Sequence, residues 1–222
     1  MLLASTLTFL KNLKKNNDKQ WFDGHKNEFE AAKQDFEEFI GEIIRLHSKK
    51  DPSIGSLKPK DCVFRIYRDI RFSKDKSPYK TNFGASINRG GKKSPFAGYY
   101  FHCEPGDSFT GGGIWMPMAP ELKKIRQEID YAFPEFQKII SSARFKKVYT
   151  ALYEGEDAKL SKLPAGFEKD GPAVEYLKLK SILAMKSLPD KVLVSKDLVQ
   201  QTKESFEALQ PLLEFINRAL ED

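Results

Sequence analysis

Three short runs between residues 83 and 116 limit what this chain can fold into more than any other feature. Phe83 to Asn88, Gly98 to Cys103 and Ser108 to Met116 each read as extended. Turn-rich sequence separates them, first Arg89-Gly-Gly-Lys-Lys-Ser-Pro95 and then Glu104-Pro-Gly-Asp107. Connections this short make antiparallel neighbours, so a meander is expected. Just before them, Cys62, Phe64 and Ile66 alternate with Val63, Arg65 and Tyr67, which predicts one more strand.

The flanks carry helical period. Ser5 or Thr6 is expected to cap a first helix bearing Leu7, Leu10 and Leu13. Asn17 or Asp18 then starts a helix of about 28 residues, with Phe22, Phe29, Phe36, Ile40, Ile43 and Ile44 on one face. After Pro117, helices are predicted from Ala119 and from Phe133, with Phe145 to Tyr153 ambiguous. A short helix over Glu175 to Lys180, a strand over Ser181 to Lys186 and an extended Val192-Leu-Val194 follow. A last helix is capped by Ser195 or Asp197, and Pro211 is expected to kink or restart it. The fold class is therefore α+β, an antiparallel central sheet packed by N-terminal and C-terminal helices. A single domain over 1–222 is expected, with a helical opening (1–55), the meander with its basic segment (60–117) and a mostly helical remainder with one or two added strands (118–222).

Charge picks out one segment. Between Asp61 and Lys93 nine basic residues face three acidic ones, an excess of six that equals the formal net charge of the whole chain, +6. Such local excess implies a local positive field. If the strand runs past Tyr67, then Arg65, Tyr67, Asp69 and Arg71 share a face. Forked guanidinium donors suit carboxylate or phosphate oxygens, and a carboxylate between them would orient both. The alternative is a salt-bridged ladder that binds nothing, in which a buried Asp69 makes Arg71 essential to stability. Arg68 falls on the other face with Phe64, Ile66, Ile70 and Phe72, while Lys74, Lys76, Tyr79 and Lys80 continue the segment into a loop, where binding groups concentrate. Gly111, Gly112 and Gly113 lie on a predicted strand. They admit a ligand at close range or serve a bulge or bend.

These residues resemble those of a bacterial family known as domain-of-unknown-function family 2461. The resemblance spans nearly the whole chain: Phe9-Leu10, Asn17, Lys19, Trp21-Phe22 and Asn27, then Gly98-Tyr99-Tyr100, Gly111-Gly112, Trp115, Pro117, Leu122 and Arg126. It is sharpest over Phe64-Arg-Ile-Tyr-Arg-Asp-Ile-Arg-Phe-Ser-Lys-Asp-Lys-Ser-Pro-Tyr-Lys-Thr81, here called the hallmark. It implies one compact cytoplasmic domain with no established activity, and so no catalytic residue to carry over.

Other classes of chemistry find little support. His25, His47 and His102 are scattered without metal-ligand spacing, so no metal and no cofactor is expected. Two cysteines on separate predicted strands, Cys62 and Cys103, read as buried reduced thiols. No apolar run approaches the roughly 18 residues of a membrane span, a signal peptide is not expected, and a cytoplasmic location follows. The leading expectation is a binding protein for a compact phosphate- or carboxylate-bearing ligand. The second is an enzyme acting on a small anionic substrate between the hallmark, the glycine strand and Arg126, with Asp69 as orienter or base. Nucleic acid is a further candidate partner, against which the interspersed Asp69 and Asp75 count. The oligomeric state is not legible.

Overall fold

The computed structural model describes residues 1–155 and 158–221. The meander is present as expected, with β1 (Phe83–Ile87), β2 (Gly98–Cys103) and β3 (Ser108–Ile114) joined in order. A fourth strand, β4 (Ile182–Leu188), adds antiparallel to β3, giving the order β1-β2-β3-β4. Register is set by burial: Phe83, Ala85, Ile87, Tyr99, Phe101 and Cys103 all turn to one face and are buried. A one-residue slip would expose that whole set.

Helices from both ends of the chain cover that face. The first is α1 (Ala4–Lys15), followed by α2 (Lys19–Gly24) and α3 (Lys26–His47). Leu3 is the N-cap of α1, where Ser5 or Thr6 was expected, because Asp35 accepts from both Leu3 N–H (2.9 Å) and Thr6 Oγ1 (2.5 Å). The long helix expected from Asp18 is broken at Gly24–His25. Asp18 caps α2 through Trp21 N–H, and the His25 ring stacks on Trp21 at 4.0 Å with Nδ1 2.7 Å from the Trp21 carbonyl oxygen. A side chain that competes for a backbone group at a glycine ends the helix there. In α3, Phe36 packs on Phe83 and Phe101.

Cys62 lies on a one-turn helix, α4 (Pro59–Cys62), and not on a strand. The predicted strand through the hallmark is absent. Val63 and Tyr67 make single bridges, to Ala85 and Tyr79, and the segment folds on itself: Lys80 N–H donates to Ile66 and Arg68 N–H to Pro78. Asp69 and Asp75 take up neighbouring backbone N–H groups of Arg71 and Ser77. These local bonds compete with a sheet ladder, and Pro78 has no N–H to offer one.

The long excursion before β4 holds α5 (Ala119–Tyr131), α6 (Phe133–Ser141), α7 (Ala143–Tyr149) and α8 (Val174–Leu177); the ambiguous stretch is thus helical as far as Tyr149. After β4, Val192 belongs to α9 (Asp190–Leu193) and is not extended, since Pro189 starts a turn whose Leu193 carbonyl accepts from Leu2 N–H. The last helix, α10 (Asp197–Arg218), runs through Pro211 without restarting. Pro211 is exposed, while Phe206, Leu209, Leu212, Leu213 and Ile216 are buried on both sides of it. Packing of that stripe holds the helix across the missing hydrogen bond. One core cluster joins residues from all these segments. Among the described residues, no helix is long and apolar enough to cross a membrane.

Cys62 and Cys103 are free and buried. Burial pushes the Cys62 thiol up to about 11, with Asp61 adding to the shift, and pushes Cys103 up as well. The thiolate is the reactive form, so both are inert at neutral pH. Native protein should label slowly and incompletely with a thiol reagent, and unfolding without reductant should release two free thiols. Recovery of none would mean a disulfide instead.

Candidate functional site

Side chains alternate across a strand, so the residues between the core positions project to the opposite face of the sheet. These are Ser86, Tyr100, His102, Phe109, Leu183 and Met185. With Phe64 and Lys80 of the hallmark, residues 92–96, residues 114–118 and Glu121 of α5, they line a cleft of about 890 Å³. Its size and mixed lining match small-molecule sites, which are mostly apolar with a few placed polar groups. Trp115, Met116 and Met118 form an exposed apolar lip. A smaller recess of about 340 Å³ near the end of α10 includes Arg89 and Glu221, which already pair with each other at 2.7 Å.

Charge is placed unevenly around the cleft. Lys80 sits with its ammonium 5.4 Å from the Phe64 ring centroid. Burial lowers its pKa, and Arg65 pushes the same way. No carboxylate among the described residues pairs with it at ion-pair distance. Lys93 is exposed on the same lining, whereas Lys92 is tied down by the carbonyls of Lys60 (2.6 Å) and Val63 (2.8 Å). Glu121 has a carboxylate oxygen shut off from solvent, with no hydrogen-bond partner among the described residues.

Of the residues picked out from sequence, the cleft gathers Lys80, Gly112 and Gly113; the others lie elsewhere. Arg68 is pinned by Asp75, the Ser77 carbonyl and Ser73 Oγ. Arg71 makes a fork onto Asp69 at 2.9 and 2.7 Å, and both are exposed, so the buried Asp69 of the ladder reading is not found. That fork and its backbone bond hold the Asp69 carboxyl below its usual range. Arg65 and Lys74 are exposed, and Lys76 donates to the Ile70 carbonyl. Tyr79 is buried, stacked on Phe22 at 4.0 Å, and Tyr67 leans on the same two rings. Arg126 is 9% exposed, donates to the Leu179 carbonyl and does not line the cleft.

Gly111, Gly112 and Gly113 meet protein, not empty space. A Cβ at Gly111 would come 2.1 Å from the Ala184 carbonyl oxygen, and one at Gly113 2.1 Å from that of Ile182. The glycines let β3 lie close to its neighbours.

A row of polar groups on β2 went unread in the sequence. Tyr100 and His102 of β2 line the cleft, and Glu104, two residues further on and just past the end of the strand, reaches back to His102. Tyr100 Oη lies 3.4 Å from His102 Nδ1, and His102 Nε2 lies 3.2 Å from Glu104 Oε2. Glu104 Oε1 accepts from Thr81 at 2.9 Å and faces Lys14 at 3.4 Å. Burial pushes the Glu104 carboxyl up, but the Thr81 and His102 bonds, with Lys14 nearby, outweigh it and leave it below its ordinary value. Phe109 stacks on the His102 ring at 4.8 Å. The signal was the period-two spacing Tyr-x-His-x-Glu on a predicted strand, which a search for metal-ligand spacing passes over.

Compared with family models, residues 5–215 match the family described as "Conserved hypothetical protein (DUF2461)". No curated protein and no solved structure matches the chain.

Proposed function

The chain belongs to the DUF2461 family of conserved hypothetical proteins, and from the geometry of its cleft we propose that it binds a small molecule with a flat apolar body and a compact anionic group. The observation that carries this reading is the one-sided cleft. Aromatic and sulfur-bearing side chains offer stacking surface for the body, and Lys80 with Lys93 offers the charge. The hallmark then contributes Phe64 and Lys80 to the site, while Arg68 and Arg71 serve the loop itself. Nucleic acid is less favoured, because Arg68 and Arg71 are engaged by Asp75 and Asp69.

Calorimetry against aryl carboxylates, aryl phosphates, nucleoside monophosphates, inorganic phosphate and a short single-stranded DNA tests the reading. Aryl anions should bind, with a shallow salt dependence. Lys80→Met should weaken them on the order of 10–100-fold, the loss of one charge-assisted bond of about 1.5–3 kcal/mol. Arg71→Ala should change neither binding nor melting temperature. A salt slope of several units with preference for DNA would instead mean a polyanion site.

A further inference from the structure

We propose that the cleft is an active site in which Tyr100 transfers protons to and from the bound ligand, with His102 and Glu104 as its positioning residues. The proposal rests on the reading of the cleft as a small-molecule site. Tyr100 and His102 both reach the cleft lining from β2, and Glu104, just past the end of the strand, contacts His102 from behind.

The direction of transfer follows from hydrogen-bond chemistry. An ionised Glu104 only accepts, so His102 Nε2 carries the hydrogen and Nδ1 is left as an acceptor facing the Tyr100 hydroxyl. Glu104 has little freedom to leave, since both its oxygens are engaged. The Phe109 ring fixes the imidazole plane. Burial raises the Tyr100 phenol, so it stays protonated unless a base takes its proton. His102 is that base. At 3.4 Å the Tyr100–His102 contact is long, as catalytic hydrogen bonds often are before a ligand closes the site.

Gly84 leaves room for the phenol. It pairs with His102 across the sheet, and a Cβ there would lie 2.5 Å from Tyr100 Oη. Any side chain at 84 moves the phenol. The step is balanced as follows. The ligand gives a proton from an O–H, an N–H or a C–H beside a carbonyl to Tyr100 Oη, whose own proton passes to His102 Nδ1. The imidazolium is held by Glu104, and the reverse transfer returns the proton to a different ligand atom. No electrons change hands. The reaction class is therefore isomerisation by proton transfer.

Arylsulfonyl fluorides read this directly. The Tyr100 oxygen bonds to sulfur, the S–F bond breaks, fluoride leaves and the phenol proton goes to His102. Two probes are used on the intact chain: neutral benzenesulfonyl fluoride and 4-carboxybenzenesulfonyl fluoride. Tyr131, which is 89% exposed, is the internal reference. Tyr100 should label about tenfold or more faster than Tyr131. Glu104→Gln, His102→Ala and Gly84→Ala should each remove that advantage with folding retained, and imidazole in solution should restore part of it to His102→Ala. A Tyr100 no faster than Tyr131, or rates unchanged in Glu104→Gln and His102→Ala, would overturn the relay. Loss of preference for the carboxylated probe, with Lys80→Met inert but the Glu104 and His102 effects intact, would overturn the anion seat alone. Preference for that probe through Lys80, with Glu104→Gln inert, would overturn the relay alone.

Discussion

Gly112→Val should cost a large share of the stability of the fold. Gly112 has φ +150°, and a Cβ there would lie 2.2 Å from the Gly98 carbonyl oxygen and 2.8 Å from Leu209 on α10. The new side chain would point into the contact between sheet and helix, not into the cleft. Overpacking costs about 1–3 kcal/mol and an unfavourable φ a further ~1–3, against a total stability of about 5–15 kcal/mol. Gly106→Ala is the control, because Gly106 has φ +85° and open space around it. Denaturant unfolding should show a small loss for Gly106→Ala and a large one for Gly112→Val. An unaltered midpoint in Gly112→Val with ligand binding abolished would return the glycine to a ligand-facing role.

Phe22→Ala should loosen the hallmark and lower global stability together. Phe22 is 2% exposed, stacks on Tyr79 at 4.0 Å and meets Phe29 at 5.0 Å. It works beside Asn17, whose side chain donates to the Tyr79 carbonyl and accepts from Tyr79 N–H. Removing a buried phenylalanine costs about 3–5 kcal/mol. Beyond that, amide exchange between residues 66 and 80 should accelerate more than in β2 and β3, because a segment with few ladder bonds depends on this anchor. Uniform acceleration across the sheet would show that Phe22 supports the core and has no particular hold on the hallmark.

The Phe22 result bears on how the hallmark is understood. Its charge suggested a binding face, yet Arg68 and Arg71 are spent on Asp75 and Asp69 within the same loop. Those partners are two and seven residues away in sequence. They were visible as alternating signs, but which carboxylate each arginine takes depends on a turn geometry that periodicity does not describe. Lys80 differs because Phe64, not a carboxylate, is its neighbour.

By itself the sequence determined the meander, the helical flanks and the family. Turn residues, helical stripes and short connections are local signals, and each acts over a few residues. It also held the Tyr100, His102 and Glu104 spacing, since a strand places alternate residues on one side whatever surrounds it. Only the tertiary structure decided which side of the sheet stayed open. Helices α3 and α10, more than a hundred residues apart in the chain, both pack on the side of Phe36, Phe101 and Phe206. That choice turned β2 alternation into a buried row and a cleft row, and it turned three glycines into close contacts for β2, β4 and α10. Packing between distant segments has no period in the sequence, so the cleft could be read only once both helices were in place.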